Sequence, residues 1–115
     1  MINIYDSANQ LAADMTKTDE FSKVKEAIAA IKADATSSQL FKQMDELQAK
    51  IAQAQQSGQD LSKEDQEAYQ KLNQSVTKDK NIVNLLQAES ALYQLLQDVQ
   101  KTYMKPLNDL YSEIR

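Results

Sequence analysis

Apolar side chains recur three and four residues apart along almost the whole chain. Only one glycine and one proline interrupt 115 residues. That spacing matches the 3.6-residue turn of a helix rather than the two-residue alternation of a half-buried strand. Ile4, Ala8, Leu11 and Met15 form a first stripe, and Phe21, Val24, Ile28 and Ile31 a second. Leu40, Met44, Leu47, Ile51 and Ala54 form a third, with the spacing of a coiled-coil seam. With 42% apolar and 26% charged residues, the chain is too apolar for disorder and too poor in breakers for a β-rich domain. An all-α fold in a single domain, residues 1–115, is the expectation.

Helix boundaries show as capping residues. Thr18 precedes Asp19 and Glu20, and Ser37 or Ser38 stands before the third stripe, each placed to accept an otherwise orphan backbone N–H. In "QQSGQDLSKEDQ", residues 55–66, Gly58 marks a helix end and Ser62 with Asp65 a new start. A turn near residues 57–61 folds the chain into an antiparallel hairpin. Its register places Met44 opposite Val76, Leu47 opposite Leu72, and Ile51 opposite Ala68 or Tyr69. A lone glycine supplies neither a phosphate cradle nor a catalytic side chain, so the segment reads as a turn.

Asp79 or Asn81 can cap the next helix. From Ile82 to Tyr103 the apolar stripe widens, with Val83, Leu86, Tyr93 and Leu95 added to the three-four pattern. A helix apolar over so much of its circumference packs on several neighbours. The spacing therefore predicts a long central helix near 80–104 in a bundle of about five helices, with the hairpin protruding. Pro106 removes a backbone donor and clashes with the preceding turn, so a kink or break and a short final helix are expected there.

The chemistry available is narrow. With neither cysteine nor histidine, disulfides, thiol nucleophiles, imidazole bases and the usual zinc or iron–sulfur ligands are all excluded. No catalytic, cofactor or metal site is assigned. The paired acids Asp19–Glu20 and Glu64–Asp65 sit at helix starts, where the dipole accounts for them. Glu89 is the exception: it holds a seam position between Leu85 and Leu92, which makes it a candidate buried polar residue. Net charge is −4, and Arg115 is the single arginine, which disfavours nucleic acid. The N-terminal segment has no signal-peptide pattern and no run approaches a membrane span, so a cytoplasmic protein away from membranes is expected.

Three stretches carry a family likeness. "NIYDSANQLAADM", "LFKQMDELQAKI" and "NLLQAESALYQLLQDVQKTYMKPLNDLY" together resemble the YheA-type branch of the YlbF/YmcA superfamily, small helical proteins of Firmicutes. The resemblance implies a helical bundle with a protruding hairpin, commonly dimeric, without established enzymatic activity. YlbF and YmcA act in a complex that influences competence, sporulation, biofilm formation and RNA processing. Some relatives hold an iron–sulfur cluster through cysteines; this chain has none, so that cofactor is not carried over.

The expectation is therefore a non-enzymatic helical interaction or regulatory protein, a homodimer with further regulatory partners. The alternative is a protein of RNA metabolism that touches nucleic acid directly. Tyr69, Leu72 and Val76 on the hairpin, with Leu92, Tyr93 and Leu96 on the long helix, are the candidate interface.

Overall fold

A computed structural model describes residues 2–115 as five helices, with no strand among them. Helix α1 spans Ile4–Met15, α2 Asp19–Ala33, α3 Ala35–Gln56, α4 Lys63–Lys78 and α5 Lys80–Ser112. The chain divides into two compact units. One comprises Lys25–Leu86; the other joins Met1–Val24 to Gln87–Arg115.

Side chains that satisfy orphan amides set the helix starts. Asn3 Oδ1 accepts from the Tyr5 amide at 3.0 Å, and Thr18 Oγ1 accepts from Phe21 at 3.2 Å. The start of α3 differs from expectation. Asp34, not Ser37 or Ser38, is its cap, and Asp34 Oδ1 accepts the Ser37 amide at 3.0 Å. A carboxylate beside a helix N-terminus also gains from the dipole, which a serine hydroxyl does not. Ser37 is thereby drawn into the first turn.

The hairpin turn has the expected chemistry. Gly58 takes φ of +69°, the left-handed conformation that a side chain disfavours. Its amide donates to the Gln55 carbonyl at 3.2 Å, and the Gln59 amide donates to Ala54 at 3.0 Å. These two bonds close α3 in a Schellman motif and satisfy carbonyls a helix end leaves bare. Ser62 Oγ then accepts the Asp65 amide at 3.1 Å to open α4. The Asp65 carboxylate turns to Lys50 across the hairpin, 3.7 Å away, so only half of a capping box forms.

In the unit of residues 25–86, α3 and α4 lie side by side as the antiparallel hairpin. Ala27, Ile31, Leu47, Val76, Ile82 and Leu85 are its buried apolar residues, with Ile82 and Leu85 essentially closed to solvent.

Helix α5 runs unbroken for 33 residues, about 50 Å, and includes Pro106. The expected break is absent. Pro106 and Thr102 are both exposed, so water reaches the carbonyl left without a donor. Proline's φ also suits a helix once that bond is given up. A Lys105–Asp109 ion pair of 2.8 Å spans the position.

The second unit shows a different economy of packing. Helix α1 has no buried residue, and α5 has none beyond Leu85. Among its described residues this unit therefore has no closed core. The wide apolar stripe after residue 86 does not meet several neighbours within the chain: Leu92, Leu95 and Val99 are half-buried, while Tyr93, Leu96 and Tyr103 are exposed.

Candidate interaction surfaces

Three features bear on function: an apolar surface on the coreless unit, two unlike grooves on the hairpin, and one buried polar cluster. No helix among the described residues is long and apolar enough to cross a membrane. No group of three carboxylates among them is placed to hold a metal.

The polar cluster lies where α3, α4 and α5 begin and end. Ser37 is 1% exposed. Its hydroxyl lies 2.9 Å from each carboxylate oxygen of Asp79, to which it donates, and accepts from Asn81 Nδ2 at 3.1 Å. Asp79 Oδ1 also accepts the Ile82 amide at 3.0 Å, capping α5. Asp79 thus ends one helix, opens the next and ties both to α3. The arrangement has nucleophile-like residue types but no base, since the carboxylate is already committed to capping. Its chemistry is positional. Sequence spacing offered Asp79 or Asn81 as the cap and Ser37 only as a cap of α3; it missed the bond between Ser37 and Asp79, because a 42-residue separation leaves no local signal.

The hairpin presents a groove on either side. One, about 380 Å³, is lined by Leu40, Gln43, Ala68 and Ser75 together with the charged Glu46, Lys50, Asp65 and Lys71. The other is a cleft of about 80 Å³ between Met44, Leu47, Leu72 and Val76, with Gln48, Asn73 and Tyr69 around it. Met44, Leu47, Leu72 and Val76, which the expected register brings together, all line this cleft.

The coreless unit carries a third concavity, about 400 Å³, between Leu11 of α1 and Asp98, Val99, Thr102 and Tyr103 of α5. The same unit exposes many further apolar side chains. Tyr5, Tyr93, Tyr103 and Tyr111 are about half exposed or more, and Ile4, Leu107, Leu110 and Ile114 are exposed too. At roughly 200 Å² per tyrosine, the four rings alone leave on the order of 450 Å² open.

The residues singled out from the sequence separate into two groups. Tyr69, Tyr93 and Leu96 are exposed, and Leu72 and Leu92 half-buried. Val76 is 5% exposed and belongs to the hairpin's own core, so it has little surface left to offer a partner. It lines the seam between α3 and α4 with Met44, Leu47 and Leu72. Glu89 is half-buried rather than buried, because the stretch of α5 around it lacks a covering layer. The exposed α1 and C-terminal residues were not singled out; their regular apolar spacing reads as core until the neighbours prove absent.

An all-α chain of five helices with a helical hairpin belongs among small helical proteins by architecture. Comparison with known families is specific: residues 4–108 match the model described as control of competence regulator ComK, YlbF/YmcA. The chain belongs to this family, as its sequence pattern suggested. Curated relatives span the full length. A UPF0342 protein of Lactobacillus helveticus is 60% identical over 100% of this chain and 99% of its own. One from Lactobacillus acidophilus is 58% identical with the same coverage. One from Staphylococcus aureus is 35% identical over 97% of this chain and 98% of its own.

Among solved structures, YheA from Bacillus subtilis matches with a TM-score of 0.68 and 25% identity, covering 96% of this chain and 100% of that one. A Bacillus stearothermophilus protein of unknown function (DUF964) matches with a TM-score of 0.82 over 94% and 95% of the two chains. At 22% identity, that second likeness speaks to the fold alone.

Proposed function

We propose that this is a non-enzymatic helical interaction protein that works as a homodimer and docks regulatory partners. The observation that carries the reading is the unit of α1 and the C-terminal part of α5, which has wide apolar stripes and no buried residue. Leaving so many leucines, isoleucines and tyrosines in water forfeits about 1.5–3 kcal/mol for each large side chain that burial would stabilise. A second copy offers the same stripes, and closed two-fold dimers are the commonest way to cover such a face. The family model's description names control of a competence regulator, which supports a regulatory role exerted through protein contact. The cytoplasm is the compartment in keeping with this role and with a chain free of cysteine.

The test is unfolding at different protein concentrations. A unit whose core is completed by a second copy melts at a temperature that rises with concentration, by mass action. Leu110→Arg, at an exposed site, removes that dependence without removing the chain's helices. A melting temperature that stays constant from low to high micromolar concentration contradicts the homodimer.

A further inference from the structure

What holds the fold together is divided unevenly along this chain. Every buried residue among those described, from Ala27 to Leu85, lies in the unit of residues 25–86. The side-chain ties between separate helices lie there too: Ser37 with Asp79 and Asn81, and Lys50 with Asp65. In the other unit, every side-chain hydrogen bond among the described residues spans four residues or fewer, so none ties α1 to α5. Helix α1 has only 12 residues, a length at which a helix without tertiary packing is marginal in water. The later part of α5 holds Pro106, which gives up a helix hydrogen bond.

We infer that the fold contains a stability step inside α5: in the single chain, α1 and α5 beyond Leu86 open to coil while the hairpin unit stays folded. The step is a property of one copy and does not rest on the homodimer. Parts of one protein open with free energies from near zero up to the global value, and few buried apolar contacts mark the low end. Helix physics gives the two open segments different profiles. The later part of α5 continues the folded stretch of residues 80–86, so it needs no new nucleus and opens progressively from Ser112 inward. Helix α1 has to nucleate afresh, so it opens as a whole. The helix content of this unit therefore reports whether its apolar face is covered, while the hairpin keeps its form in either state.

Amide hydrogen exchange of the full chain, read by mass spectrometry, tests the step. At a dilution where the mass is 13.0 kDa, amides around Leu47 and Leu85 are expected to exchange at least a hundredfold more slowly than those of Ile4–Met15 and of residues 102–112. Those of residues 87–101 fall between. Exchange that is level to within tenfold across the two units overturns the inference. Val99→Pro gives a second readout that holds whether or not the chain is assembled. It is expected to remove helix from α5 beyond Leu86, seen by circular dichroism, with exchange around Leu47 and Leu85 within threefold of wild type. Lost protection at those two sites overturns the step. The homodimer fails separately. A step in exchange that does not change from low to high micromolar concentration contradicts the dimer alone. Protection of α1 that rises with concentration, from a level profile at dilution, contradicts the step alone.

Discussion

Ser37, Asp79 and Gly58 show how much single residues decide in a chain with few breaks. Helices α2 and α3 are separated by Asp34 alone, and α4 and α5 by Asp79 alone, both in extended conformation. Neither corner has a glycine or proline, so each depends on an aspartate holding the next helix's amides. Ser37 joins the two: its amide is bound by Asp34 and its hydroxyl binds Asp79. Ser37→Ala leaves the Asp79 carboxylate and the Asn81 amide each short of a partner. It is expected to lower stability by about 1–3 kcal/mol in urea titration. At the hairpin tip, Gly58→Ala meets no atom within 4 Å of the added Cβ, so its cost is conformational only, about 1–2 kcal/mol. The caps Thr18, Ser62, Gly58 and Asp79 were legible because each acts within three or four residues of itself. Ser37 was read only as a cap of α3; its bond to Asp79 was not legible, because that partner lies 42 residues away.

Helices carry the next level of the account. The α3–α4 hairpin was readable from matched apolar spacing on either side of a stop and a start signal, and its register followed from the turn. Leu47, buried in that seam, is expected to cost about 2–5 kcal/mol when cut to alanine. At Pro106, where a kink or a break was expected, helix α5 is not broken. Local propensity argues for a break, yet the missing hydrogen bond falls on an exposed carbonyl that water can serve. Pro106→Ala restores that bond and removes the clash, so it should raise stability by up to about 3 kcal/mol, seen as a higher melting temperature with unchanged helicity. Lys50–Asp65, at 3.7 Å and partly exposed, contributes at most about 1 kcal/mol to the hairpin.

The whole molecule is where sequence spacing and structure part. Apolar periodicity states that a face is to be buried, but it does not state against which chain. For α3 and α4 the partner helix is in the same chain; for α1 and the C-terminal part of α5 the stripes remain open. Tyr93 and Leu96, singled out from the sequence as candidate interface residues, are exposed, and so are Ile4, Tyr5, Leu110 and Ile114, whose spacing read as ordinary core. The uncovered face is the physical ground on which the homodimer is proposed. Light scattering coupled to size exclusion tests this most directly. At micromolar concentration the wild-type chain is expected at twice its 13.0 kDa mass or a higher multiple, with Leu110→Arg lowering it. A wild-type mass of 13.0 kDa at high micromolar concentration contradicts the account.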